Sequence, residues 1–163
     1  MDARDAQRLI AGAVQPGEHW ADLGAGSGTF SAALSALLGP SGSVTAIDRD
    51  ARALRQIAGV AGGAPVQTLQ ADLTRLPLLP LQDGLLLANS LHFVRDQRGT
   101  LKRLQTLLRA PGKLLIVEYN LTRGSVWVPH PLPFAKLERL AAELNWPAPR
   151  KLAEQPSRYQ RTL

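Results

Sequence analysis

Residues 20–30 read Trp-Ala-Asp-Leu-Gly-Ala-Gly-Ser-Gly-Thr-Phe, which places glycines at the alternate positions 24, 26 and 28 behind the carboxylate of Asp22. Glycines in that pattern let a backbone take positive φ and approach a ligand closely. A helix beginning near Thr29 would add free N–H groups and a positive dipole end facing an anionic or polar ligand. The loop therefore reads as a ligand cradle. It is not a hydrolase elbow, because Ser27 directly follows Gly26 and breaks the G-x-S-x-G spacing. Nor does it complete the dinucleotide fingerprint, which from Gly24 requires glycine where Thr29 stands.

Further along, Asp48 follows Gly24 by 24 residues. An acceptor-only carboxylate there can take both hydroxyls of a ribose, a geometry that serves a nicotinamide cofactor equally well. Asp72 stands in Gln-Ala-Asp-Leu, and Asn89-Ser90-Leu91-His92-Phe93 follows an apolar run.

These residues need elements to position them. Short apolar stretches at 19–23, 43–48, 66–70, 84–89 and 113–119 predict strands. They alternate with helical patterns at 5–14, 29–38, 51–60 (capped by Asp50) and 96–109, and a last helix is expected at 134–145. The Leu85–Leu87 run, apolar without alternation, predicts a strand covered on both faces. Such alternation implies right-handed crossovers and a doubly wound α/β sheet. Each candidate then falls at the carboxyl end of a strand, where open α/β sheets bind ligands. Residues 120–133, with four Gly or Pro, predict a long loop, and 150–163 two short strands.

Taken in order, Asp22 with Gly24, Gly26 and Gly28, then Asp48, Asp72 and Asn89-Ser90-Leu91-His92, resemble the class I S-adenosylmethionine-dependent methyltransferases, particularly a small, quinone-methyltransferase-like group with an N-x-L-H motif. The resemblance spans about 120 of the 163 residues. It implies a mostly parallel seven-stranded sheet with helices on both faces, S-adenosylmethionine as cofactor and S-adenosylhomocysteine as product. Asp22, Gly24, Ala25, Gly26 and Gly28 would cradle the cofactor. Asp48, beside Arg49, would hold its ribose. Asp72 would accept from the adenine amino group between Ala71 and Leu73, and Asn89 and Ser90 would complete the site. Plainer readings stand beside these: Asp22 as a turn acceptor, and Asp72 as the cap of a short turn through Thr74.

A sulfonium methyl is already activated, so transfer is an in-line displacement in which a protein base is optional. Candidates for acid–base or acceptor contact are His92, Glu118, Tyr119 and His130. Against them stand a packed imidazole at 92, loop caps at 118 and 119, and a solvent-exposed histidine at 130. His19 reads as structural. With no Cys, base methylation through a thiolate adduct and cluster-based radical chemistry are excluded, and no His/Asp/Glu cluster has metal spacing. Asn89-Ser90-Leu91-His92 also lacks the Pro-Pro-aromatic motif of amino-methylating DNA enzymes.

A length of 163 residues, with 45 % hydrophobic and 20 % charged, suits one domain over 1–163, its first 17 residues forming a helix and lid and 120–133 an acceptor loop. Residues 1–8 carry no signal-peptide pattern and the apolar runs are strand-sized. A cytoplasmic protein without membrane contact is expected, and zero Cys agrees. Net charge is −2 over residues 1–94 and +8 over 95–163. RNA is thereby an alternative partner to a small-molecule acceptor, although 15 Arg among 19 cations is also what a GC-rich coding sequence yields. The short lid, with Trp127 and Phe134 as wall candidates, favours a small acceptor, and a homodimer could complete it. A non-catalytic cofactor-binding subunit is the rival from another class.

Overall fold

The protein is described by a computed structural model covering residues 1–156. Its order is α1 (Ala3–Ile10), β1 (His19–Leu23), α2 (Thr29–Leu38), β2 (Ser43–Asp48), α3 (Ala51–Leu54), β3 (Val66–Gln70), β4 (Gln82–Ala88), α4 (Gln97–Gln105), β5 (Leu108–Val117) and α5 (Phe134–Glu143). The strands form a parallel sheet ordered β3-β2-β1-β4-β5. Neighbours are in close register: Asp22 lies between Ala46 and Leu86.

The pleat sorts side chains onto two faces. Trp20, Leu86, Ala88, Leu115 and Val117 pack with residues of α1 and α2, among them Ile10, Leu34 and Leu38. Ala21, Leu23, Leu85 and Leu87 pack on the other face with Leu101 and Leu104 of α4 and Leu140 of α5. Helices therefore cover both faces, which is why all three leucines of 85–87 are fully buried. Gly84 sits where any Cβ would overlap the Trp20 indole, so the centre of the sheet depends on a residue without a side chain.

Several boundaries differ from the sequence expectations. Among the described residues the sheet has five strands rather than seven; residues 150–156 are irregular and the rest of that expected pair lies outside the described residues. The Asp2 side chain accepts from Asp5 N–H, starting α1 two residues early, and the helix ends before Gly12. α3 is one turn long, and Ile57, expected within it, lies beyond its end against Gly28. Asp96 caps α4, and Leu108, placed in that helix by its spacing, instead opens β5 opposite Gln82. Gln82 pairs with Leu108 but Gly84 pairs with Lys113, so the Pro111-Gly112 expected to turn the chain is absorbed as a bulge within β5.

Consecutive connections leave β1 in opposite directions, toward β2 and later β4. The switch point of the sheet thus lies between β1 and β4, whose carboxyl ends carry the glycine loop and Asn89.

Candidate active site

Gly24, Gly26 and Gly28 have φ of 83°, 54° and 90°, the left-handed conformations that the alternate glycines predicted. Two of them also make room: a Cβ on Gly24 would lie 2.5 Å from Ser90 Cβ, and one on Gly28 2.7 Å from Ile57 Cγ1. A Cβ on Gly26 would meet nothing within 4 Å, so this glycine faces open space. Asp48 staples the loop, its Oδ2 accepting Gly26 N–H at 2.8 Å and its Oδ1 accepting Asp50 N–H at 2.8 Å. Each oxygen keeps a further lone pair for a ligand hydroxyl. Arg49 is exposed beside it.

Beneath the loop, Asp22 is 1 % exposed and accepts from Ser31 Oγ at 2.6 Å. Its other oxygen, Oδ1, is buried without a hydrogen-bond partner. Burial raises its pKa to about 6, helped by the charge of Asp48 and opposed by the Ser31 hydrogen bond. Across the switch point Asn89 adopts φ 52°, and its Oδ1 is likewise buried and unpartnered. Buried polar atoms are nearly always paired, and these two acceptors flanking one glycine loop are open to a donor; Gln97 Oε1 and Trp146 Nε1 are also buried without a partner. Ser90 ties the loops together, donating to the Leu23 carbonyl at 2.7 Å.

Asp72 is exposed, and its Oδ1 accepts both Thr74 N–H and Oγ1 at 2.7 Å, the short turn foreseen as its plainer reading. Those bonds lower its pKa and keep it ionised. Ala71 and Leu73 are half-buried beside it, and Ala71 N–H donates to the Asp48 carbonyl at 3.0 Å, so the adenine and ribose candidates are neighbours.

Beyond the carboxyl ends of β4 and β5, His92 and Glu118 form a buried pair. Glu118 Oε2 lies 2.6 Å from His92 Nδ1, with side-chain exposures of 4 % and 3 %. Glu118 Oε1 also accepts the N–H groups of Leu91 (2.9 Å) and His92 (3.1 Å), capping the single 3-10 turn that carries the imidazole. The Tyr119 ring lies 6.0 Å from the imidazole. His130, half-buried, reaches the pair through its backbone: its N–H donates to the His92 carbonyl at 2.9 Å. His19 is structural as expected, its Nδ1 within 2.7 Å of Ser43 Oγ.

Two contributors were not foreseen. Ser31 anchors Asp22, and Gln97 donates to the carbonyls of Leu91 (3.1 Å) and His130 (2.7 Å), joining the turn after β4 to the 120–133 segment. The signal for Gln97 was a polar residue on the apolar stripe it shares with Leu101 and Leu104. Trp127, expected to wall the acceptor pocket, is 79 % exposed. Phe134 does line a cavity of about 670 Å³ between α1, β5, α5 and residues 146–154, which reaches Glu118. Of the cations near α4, Arg98 pairs with Glu143, Arg109 with Asp83, and Arg103 donates to Thr100. Among the described residues no His/Cys/Asp/Glu group could hold a metal ion, and no helix is long and apolar enough to cross a membrane.

A doubly wound parallel sheet with a glycine loop and two carboxylates at its switch point defines a Rossmann-like nucleotide-cofactor domain. A family model described as a methyltransferase domain matches residues 21–116, and the chain belongs to the class I S-adenosylmethionine-dependent methyltransferase family. It is 30 % identical over 112 residues to the ubiquinone/menaquinone biosynthesis C-methyltransferase UbiE of Hahella chejuensis, an alignment covering 66 % of this chain but only 45 % of that protein. Among solved structures, the arsenic(III) S-adenosylmethionine methyltransferase of Chlamydomonas reinhardtii superposes with a TM-score of 0.73 at 18 % identity, covering 94 % of this chain and 65 % of that one. A SAM-dependent methyltransferase from Aquifex aeolicus gives 0.69 at 18 % identity, covering 92 % and 91 %. Both likenesses concern the fold.

Proposed function

We propose that this chain binds S-adenosylmethionine across the β1–β4 switch point and transfers its methyl group to a small-molecule acceptor. The observation that carries the reading is the pair of buried, unpartnered oxygens, Asp22 Oδ1 and Asn89 Oδ1, flanking a glycine loop with open space over Gly26. The cofactor's ammonium group satisfies acceptors of this kind. Asp48 accepts the ribose hydroxyls on its remaining lone pairs, Asp72 accepts from the adenine amino group through Oδ2, and Ala71 and Leu73 flank the ring.

When bound, the cofactor supplies a sulfonium methyl, already activated for displacement. The chain's part is to hold the acceptor in line with it, and positioning of that kind contributes roughly 7–11 kcal/mol. Glu118 Oε2, 2.6 Å from His92 Nδ1, accepts from the Nδ1–H tautomer, in which Nε2 carries the lone pair. His92 thereby acts as a general base for an acceptor that loses a proton on methylation, and Glu118 as the residue that orients it. The cavity beside Glu118 offers apolar room for the body of that acceptor.

The test is release of S-adenosylhomocysteine with a panel of phenols, thiols, amines and carbon acids. Turnover with one class is expected, and His92→Asn should lower kcat on it by about 10²–10⁴-fold while leaving cofactor affinity unchanged. Cofactor binding without turnover on any acceptor would favour the rival reading as a non-catalytic subunit.

A further inference from the structure

The turn after β4 and the 120–133 segment are joined through His130 N–H on the His92 carbonyl and through Gln97. Both of the segments so joined carry exposed apolar side chains. Phe93, next to His92, is 57 % exposed; Val126 and Trp127 are 89 % and 79 % exposed. The latter two sit on a turn closed by Ser125 N–H on the Val128 carbonyl (3.0 Å) and by Val128 N–H on Ser125 Oγ (3.1 Å). Val128 itself is buried at 2 %, so the turn is anchored by one valine while its neighbours project into solvent. Arg95 and Arg123 flank these residues, both exposed and neither in an ion pair among the described residues. The nearby acid, Asp96, is engaged in capping α4.

Projecting tryptophan and aliphatic tips with a collar of unpaired arginines have the composition of an interfacial anchor: the apolar tips suit the headgroup–acyl boundary and the guanidinium groups suit lipid phosphates. We propose that this part of the protein docks on an anionic lipid surface, with Trp127, Val126 and Phe93 inserted and Arg95 and Arg123 on the phosphates. Attachment of this kind is to the surface and needs no spanning helix. A projecting tip inserts rather than receives, which favours a deformable lipid layer over a second copy of the chain. Docking in this orientation sets the His92–Glu118 pair close to the lipid.

The test is co-sedimentation with vesicles of phosphatidylcholine alone and of phosphatidylcholine with one-third phosphatidylglycerol, at low and high salt. The full chain should bind the anionic vesicles and lose affinity with salt. Val126→Ser/Trp127→Ser should weaken binding about tenfold or more, as loss of buried apolar surface requires. Arg95→Ser and Arg123→Ser should each weaken it about fivefold. All four side chains are exposed, so the variants should keep the cofactor affinity of the parent, read by calorimetry as a check on folding. No binding to anionic vesicles overturns the proposal. So does binding indifferent to Val126→Ser/Trp127→Ser, which would be charge attraction alone, or a self-association that this variant abolishes, which would make the tip a contact between copies.

Discussion

Asp22 is the buried carboxylate beneath the glycine loop, and its protonation offers a test of the proposed cofactor site. Its raised pKa, about 6 against an ordinary 3.8, means that the folded chain holds this proton more tightly than the unfolded chain does. The strain of ionising it is absent below the ordinary value, grows as pH rises between the two, and is complete above about 6, at a cost of about 3 kcal/mol. Asp22→Asn should therefore raise thermal stability at neutral pH, measured by calorimetric melting, while weakening the cofactor by roughly tenfold or more. In the parent, affinity should climb as pH rises through 6, because a bound ammonium group favours the carboxylate; titrations in buffers of different ionisation enthalpy would show a proton released on binding near that pH. Asp48→Ala should cost about 1.5–3 kcal/mol of cofactor affinity by removing charged hydrogen bonds, and it also frees the Gly26 N–H. The order of Asp22, Asp48, Asp72 and Asn89 could be read because each lies within two residues of the carboxyl end of a strand. Their partners were not: nothing in the spacing announces that Ser31 holds Asp22 or that Glu118 holds His92, since those pairs exist only once α2 packs on β1 and β5 pairs with β4.

At the scale of elements, the strands β1, β2 and β3 fall where the sequence pattern placed them, β1 and β2 as runs with buried apolar residues and β3 as an edge strand with Val66 and Leu69 half-buried. The helices were less legible. Leu108 fits the helical spacing of Leu101 and Leu104, yet pairing with Gln82 claims it for β5, a tertiary contact that local periodicity does not encode. Likewise Ile57, inside the expected helix, lies beyond the end of α3 and against Gly28. Two close approaches make sharp tests. Gly84→Ala would drive a methyl into the Trp20 indole at the centre of the sheet and should destabilise by about 1–3 kcal/mol, seen as a lower denaturation midpoint. Gly24→Ala combines a φ of 83° with a 2.5 Å clash against Ser90 Cβ. It should separate the two loops of the switch point and reduce cofactor affinity more than global stability.

For the whole molecule, the two-faced core and the site at the switch point follow from one fact, that strand and helix patterns alternate along most of the chain. Where alternation stops, after residue 119, the sequence was least informative: the cavity along β5 and the exposed Trp127 depend on how irregular segments lie against the sheet. The basic second half also reads differently once folded, with Arg98, Arg103 and Arg109 each given a neighbour. RNA is tested on the cations that remain unpaired: a steep fall in affinity between about 50 and 200 mM salt would mark a protein that neutralises several phosphates, and a flat response would remove that partner. The chain spans under half the length of its Hahella chejuensis relative, so its acceptor is to be found by experiment on this protein. The most direct test of the central claim is calorimetric titration of the chain with S-adenosylmethionine and, in parallel, with NAD. Micromolar binding of S-adenosylmethionine alone, weakened in Asp22→Asn, is the expected result. Binding of NAD instead, or of neither, would contradict the assignment of the Asp22–Gly28 loop.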